Sequence, residues 1–145
     1  MKNRVIVLVE DNPDDRELTL RALHRCRPQL TVVAIEDGAE ALEYLRDGGH
    51  AWTSSPRNSP ALIILDLKMP KVDGLELLKR LRKESSTRLL PMVIMTSSSE
   101  RRDITEAYQL GANSYLTKPV EFERFLEMVD CMCRYWLDLN QSSGI

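Results

Sequence analysis

The segment LIILDLKMPKVDG, residues 62–74, places an acidic side chain at the end of a run of apolar residues. The run Ala61–Leu65 predicts a strand that is buried on both faces, and Asp66 follows it directly. A buried carboxylate is costly unless a cation or a hydrogen-bond donor meets it. The groups that meet Asp66 are therefore expected elsewhere in the chain.

Short apolar runs alternate with segments of helical periodicity five times along the sequence. The predicted strands are Arg4–Val9, Thr31–Ile35, Ala61–Leu65, Pro91–Met95 and Ser114–Leu116. Apolar residues at helical spacing predict a helix after each strand. Strands that alternate with helices indicate right-handed crossovers and a parallel sheet covered on both faces. We therefore predict an α/β fold with a doubly wound parallel sheet, in a single domain.

One segment interrupts this alternation. Residues Asp47–Pro60 (DGGHAWTSSPRNSP) are rich in turn formers and predict a long surface loop. The loop is either a plain connector or a partner-contacting segment with Trp52 exposed.

Composition excludes several classes of protein. The 145 residues carry a formal net charge of -2, which gives no basic field for nucleic acid or a membrane surface. No apolar run approaches the roughly 20 residues that span a bilayer, and the N-terminus lacks a signal peptide. The three cysteines are too few for a disulfide framework. We expect a cytoplasmic protein with free thiols.

Polar side chains collect where the predicted strands end, which is where parallel sheets place their functional groups. Glu10 and Asp11 follow the first strand, and Asp66 follows the third. Thr96 follows the fourth strand, and Lys118 stands just after the fifth. Because strands one and three are predicted to be central neighbours, the three acids should share one pocket.

Three acids in one pocket repel each other unless a cation lies among them. Oxygen ligands suit a hard ion, and Mg²⁺ with a phosphate fits best. Lys118 would add a fixed positive charge and Thr96 a hydroxyl, so the set suits phosphoryl transfer to one acid, with Asp66 as the candidate nucleophile. Taken singly, each residue has a structural alternative. Asp11 or Asn12 could cap the helix that begins at Pro13, and Lys118 could be a solvated surface lysine.

At this point the chain resembles a known family over nearly its whole length, the receiver domains of two-component response regulators. The resemblance is carried by four motifs in the expected order: VEDN (9–12), LDLKMPKVDG (65–74), MTS (95–97) and YLTKP (115–119). It implies a flavodoxin-like fold with the strand order 2-1-3-4-5.

The resemblance also implies roles for individual residues. Asp66 would accept the phosphoryl group, and Glu10, Asp11, Asp66 and the backbone carbonyl of Lys68 would bind Mg²⁺. Thr96 and Lys118 would contact phosphoryl oxygens.

Further residues would control the response. Thr96 and Tyr115 would act as the switch, which acts on the face formed by the fourth helix, fifth strand and fifth helix. Lys68 and Ser98 occupy positions that tune dephosphorylation. Pro119 would follow a cis peptide bond.

The sequence ends soon after the predicted fifth helix, so we expect residues 1–145 to be a stand-alone receiver without an effector domain. It is similar to the small response regulators partnered with bacterial phytochromes. The resemblance implies a sensor histidine kinase as phosphodonor, with a bacterial phytochrome as a candidate, and a downstream protein partner. The resemblance implies homodimers through an extended last helix that carries Trp136, Leu137 and Leu139. The alternative is that these residues cap the bottom of the domain.

Two other readings remain. A phosphatase of the haloacid dehalogenase type also uses an acid at a strand end, but it needs a second Asp where this chain has Lys68. A receiver fold that acts as a phosphorylation-independent adaptor is the other. We expect no enzymatic activity beyond the protein's own phosphorylation and dephosphorylation.

Overall fold

The structure is a computed structural model and describes residues 5–46, 59–69 and 71–143. Five strands form one sheet: β1 (Val5–Val9), β2 (Thr31–Ile35), β3 (Leu62–Leu65), β4 (Met92–Thr96) and β5 (Ser114–Thr117). The helices are α1 (Pro13–Cys26), α2 (Gly38–Arg46), α3 (Gly74–Leu81), α4 (Arg101–Gln109) and α5 (Phe122–Cys133). A π-helical segment, Arg134–Leu139, continues α5 and is called the C-terminal extension below.

All neighbouring strands are parallel, in the order β2-β1-β3-β4-β5. This confirms the predicted fold class and strand order. The strand bounds differ from the predicted ones by a residue at some ends, so that Thr96 and Thr117 belong to the strands that they were expected to follow.

Both faces of the sheet are buried, which explains why its strands are unbroken apolar runs. Along β1, Val7 and Val9 belong to one hydrophobic cluster, which also contains residues of α2, α3 and α4. Ile6 and Leu8 belong to a second cluster, with residues of α1 and α5. Because side chains alternate between the two faces, a strand shifted by one residue would exchange the two clusters. Each fully buried aliphatic side chain contributes about 1.5–3 kcal/mol to stability, so this alternation makes the register specific.

Side-chain caps begin the helices that follow β1 and β3, α1 and α3. Asn12 caps α1 by accepting a hydrogen bond from the Asp15 amide at 3.0 Å, with Pro13 at the first helical position. Asp73 caps α3 in the same way through the Glu76 amide at 2.9 Å. Gly74 allows α3 to approach β3, because a Cβ there would lie 2.0 Å from the Asp66 carbonyl oxygen. The caps therefore fix the helical end of each loop that carries the acids.

The C-terminal extension packs back on the domain. Trp136 and Leu137 are partly buried against the cluster shared by α1 and α5. Arg27, at the end of α1, makes two hydrogen bonds to the Asp138 carboxylate, one of them at 2.9 Å. Leu139 is 65% exposed. Two of the three residues expected at a dimer contact thus also cover the core.

The prediction of a cis peptide bond before Pro119 is wrong, because all peptide bonds in the described part of the chain are trans. Lys118 reaches its partners with a trans bond: its amide donates to the Thr96 carbonyl at 2.7 Å. Most of the predicted loop Asp47–Pro60, including Trp52, lies outside the described residues, as does Pro70. Among the helices that the structure describes, none is long and apolar enough to cross a membrane.

Candidate functional site

Three acids meet at the carboxyl edge of the sheet. One carboxylate oxygen from each of Glu10, Asp11 and Asp66 lies within 4.8 Å of the others. Sheet hydrogen bonds continue past the strand ends and place them: the Glu10 amide donates to Ile35, and the Asp66 amide to Val9. Glu10 is only 2% exposed, whereas the two aspartates are half-buried.

A lysine from the far side of the edge joins the acids. The Lys118 ammonium lies 2.7 Å from a Glu10 carboxylate oxygen and 3.7 Å from Asp15. Burial raises the pKa of Glu10 to about 7, against the hydrogen bond from Lys118 and with a further rise from the charge of Asp66. Burial opposes the charge of Lys118, but its bond to Glu10 and the surrounding acids raise its pKa above the ordinary value.

An open cavity of about 500 Å³ leads to this edge. Asp66 and Lys118 line it together with Thr96, the side chains of the loop that follows β4, and two residues on its other sides, Asp15 and Lys68. Thr96 is buried and Lys68 is exposed. A small anion in the cavity could therefore contact the acceptor candidate, the lysine and the threonine at once.

Ser98 connects the cavity to α4 and β5. Its hydroxyl donates to the Asp103 carboxylate at 2.6 Å, and its carbonyl accepts a hydrogen bond from the Tyr115 hydroxyl at 2.9 Å. Burial raises the pKa of Tyr115 above its ordinary value, which further favours the protonated, hydrogen-bond-donating form. The predicted switch residue Tyr115 thus holds the loop next to Thr96.

Sequence reasoning missed Arg16. Its guanidinium donates to the Glu10 carbonyl at 2.9 Å and to the Asp11 carbonyl at 3.5 Å, and it lies 3.8 Å from Glu36. An arginine in the second turn of an amphipathic helix resembles a solvated surface residue. Only the approach of α1 to β1 turns it toward the acids.

The remaining predicted residues lie elsewhere. Trp136, Leu137 and Leu139 are in the C-terminal extension, which packs near the end of α1 that is away from the acids. Cys131 is exposed and Cys133 is buried, as expected for two residues on different faces of a helix.

The donor set suits a hard divalent cation. Three carboxylates converge, and the Lys118 ammonium lies 2.7 Å from one of them, so among these groups acidic charge is in excess. Carboxylate oxygens are the ligands that Mg²⁺ and Mn²⁺ prefer. The buried Glu10, whose charge is disfavoured in the isolated site, is stabilised as a carboxylate by an added positive charge.

Known proteins with a similar sequence and fold are response regulators. The family model described as "Response regulator receiver domain" matches residues 6–130. Response regulator Rcp1 of Synechocystis sp. is 33% identical over 93% of this chain and 90% of its own length. An Mn²⁺-bound crystal structure of Rcp1 superposes with a TM-score of 0.81, at 32% identity over 96% of this chain and 98% of that one.

Two further solved structures cover the whole fold. The phosphorylated cyanobacterial phytochrome response regulator RcpA matches with a TM-score of 0.86 and 33% identity, over 97% of this chain and 99% of that one. The bacteriophytochrome response regulator AtBRR is 44% identical, with a TM-score of 0.73, over 97% of this chain and all (100%) of that one. The chain therefore belongs to the response regulator receiver domain family of two-component signalling proteins.

Proposed function

We propose that this receiver is phosphorylated on Asp66 in a Mg²⁺-dependent reaction and passes the signal on by binding a protein partner. One observation carries the proposal: the Asp66 carboxylate meets two other acids and faces a cavity that Thr96 and Lys118 also line. Within the described residues, no other group of three acidic, histidine or cysteine side chains converges in this way.

The transfer is a direct displacement at phosphorus. A carboxylate oxygen of Asp66 forms a bond to phosphorus while the bond from phosphorus to the histidine nitrogen of the kinase breaks, and the imidazole leaves with the electron pair. Thr96 and Lys118 contact phosphoryl oxygens. Glu10, Asp11, Asp66 and the Lys68 carbonyl would hold Mg²⁺, which supplies the positive charge that the phosphoryl oxygens require.

The protein catalyses only its own phosphorylation and dephosphorylation. Lys68 and Ser98 line the cavity. From there they would tune the access of water to the phosphorylated Asp66. A phosphatase of the haloacid dehalogenase type remains disfavoured, because Lys68 cannot serve as its second acid.

Phosphorylation adds about 1.5–2 negative charges to the cavity. Thr96 would move toward the phosphoryl group, and the loop at Ser98 would follow it. Because Tyr115 is hydrogen-bonded to the Ser98 carbonyl, the motion would reach the face formed by α4, β5 and α5. This face is where we place the downstream protein partner.

The phosphodonor is a sensor histidine kinase, for which a bacterial phytochrome is the candidate. Support comes from the relatives RcpA and AtBRR, which are named as phytochrome response regulators. The match extends over 99% and 100% of those two chains, which supports the proposal of a stand-alone receiver. We place its action in the cytoplasm. Exposed apolar side chains on the C-terminal extension support a homodimer.

Intact-protein mass spectrometry tests the acceptor. Wild-type protein is incubated with acetyl phosphate or phosphoramidate, with and without Mg²⁺, beside Asp66→Asn and the matched control Asp14→Asn, an exposed acid outside the cavity. We expect the mass of one phosphoryl group on the wild type and the control only, and only with Mg²⁺. No gain in folded wild type with either donor would instead favour a phosphorylation-independent adaptor.

A further inference from the structure

Asp15 lies at the cavity without belonging to the group of three acids. It is in the first turn of α1, its side chain is 45% exposed, and it lines the same cavity as Asp66 and Lys118. Its amide is bound to the cap residue Asn12, so the start of the helix holds its backbone in place. The carboxylate is free of a structural role in that cap.

Asp15 forms an ion pair with Lys118, the residue proposed to contact the phosphoryl oxygens. The Lys118 ammonium lies 2.7 Å from Glu10 and 3.7 Å from Asp15. Glu100 also lines the cavity, but among the described residues only Glu10 and Asp15 form ion pairs with Lys118. A phosphoryl donor that enters the cavity must compete with both carboxylates for the lysine.

The two effects of Asp15 have the same sign. Its charge repels an anionic donor at the cavity, and its ion pair withdraws Lys118 from that donor. Both effects grow with the negative charge of the donor. Since Asp15 is partly exposed, salt should weaken them.

We infer that Asp15 is a specificity-determining residue that disfavours strongly anionic small phosphodonors relative to N-phosphoryl donors with less negative charge. The inference rests on the proposed function, in which Asp66 is the acceptor. It predicts that this receiver is partly protected from phosphorylation by dianionic acyl phosphates such as acetyl phosphate.

Two small donors separate the effect of charge. Acetyl phosphate is a dianion at neutral pH; Asp66 displaces acetate, which leaves with the electron pair of the broken phosphorus–oxygen bond. Phosphoramidate is a zwitterion with less net negative charge; the broken phosphorus–nitrogen bond leaves its electron pair on nitrogen, and ammonia departs. The same bond to the Asp66 oxygen forms in both reactions.

The experiment measures the rate of phosphorylation by each donor, with Mg²⁺, in wild type, Asp15→Asn and Asp14→Asn. Asp14 is the matched control because it is the neighbouring acid of the same helical turn, is exposed and does not line the cavity. For Asp15→Asn we expect the ratio of the acetyl phosphate rate to the phosphoramidate rate to rise about three- to tenfold. Asp15→Lys should raise the ratio further, and high salt should narrow the difference from wild type.

The outcomes are separable. An unchanged ratio in both Asp15 variants, with wild type still phosphorylated by both donors, would overturn the inference and leave the proposed function standing. An equal rise in Asp14→Asn would also overturn it, because the effect would then belong to net charge. No phosphorylation of wild type by either donor would overturn both.

Discussion

The Lys118 ammonium and the Glu10 carboxylate form a buried ion pair at 2.7 Å, with side chains 13% and 2% exposed. The pair joins the ends of β1 and β5, which are separated by β3 and β4 in the sheet. A lysine expected to bind phosphoryl oxygens is thus already engaged with an acid of the predicted metal site. Phosphoryl binding and the charge state of the acids are therefore linked through Lys118.

Removal of Lys118 should affect both stability and phosphorylation. Lys118→Ala leaves Glu10 buried without its cation, and we expect a loss of about 1–2 kcal/mol in the free energy of unfolding, limited because Glu10 can take up a proton. The rate of phosphorylation should fall by about 10²-fold or more. Urea unfolding at neutral pH without Mg²⁺ and the mass assay measure the two effects.

Two variants control this prediction. Lys79→Ala, at an exposed position of α3, should change stability by less than about 0.5 kcal/mol. Adding Glu10→Gln to Lys118→Ala should restore part of the stability but none of the activity. A Lys118→Ala protein as stable as wild type would show that the ion pair contributes nothing net.

Repulsion among the acids predicts that a functional residue destabilises the metal-free protein. Asp11→Asn neutralises one of three carboxyl groups whose oxygens lie within 4.8 Å of each other. We expect the metal-free variant to be more stable than wild type by about 1 kcal/mol. The increase in Tm that Mg²⁺ gives the wild type should be absent in the variant. Thermal unfolding with and without Mg²⁺ decides, and a metal-free Asp11→Asn protein less stable than wild type would contradict the prediction.

The sequence predicts where the three acids lie, but not which neighbouring side chains contact them. Glu10, Asp11 and Asp66 could be located because they follow strands whose apolar runs are visible in the sequence, and a parallel sheet brings such ends together. Arg16 and Asp15 could not, because the direction of a side chain in the first turns of α1 depends on how that helix packs against the sheet. The contact between Lys118 and Glu10 likewise depends on the register of β5, which the short apolar run at Ser114–Leu116 does not determine.

Arg16 should position the metal-binding loop, since it donates to the carbonyls of both Glu10 and Asp11. In Arg16→Ala these carbonyls lose their donor, and we expect Mg²⁺ affinity to fall about tenfold. Isothermal titration with Mg²⁺ measures this without any phosphodonor. Arg21→Ala, an exposed arginine of the same helix, is the matched control.

A purely electrostatic role for Arg16 has a distinct result. Removing a positive charge alone would strengthen the binding of a cation, so tighter Mg²⁺ binding by Arg16→Ala would exclude the positioning role. Arg16→Lys keeps the charge but lacks the planar guanidinium that reaches two carbonyls. It should therefore resemble Arg16→Ala more than wild type.

The proposed dimer should depend on Leu139 more than on Trp136 and Leu137. Leu139 is 65% exposed and Tyr135 is 50% exposed, whereas Trp136 and Leu137 pack against the core of the same chain. Leu139→Asp would place a charge in an apolar contact between two copies of the chain. We therefore expect the dissociation constant of the dimer to rise at least tenfold, with little change in Tm. Leu89→Asp, at an exposed leucine (47%) between α3 and β4, is the matched control.

Sedimentation equilibrium over a range of protein concentrations measures the dissociation constant of the dimer directly. Equal dissociation constants for wild type and Leu139→Asp would show that Leu139 is not part of the dimer interface. A leucine that is exposed in the monomer and buried in the dimer cannot be replaced by a carboxylate without weakening the dimer.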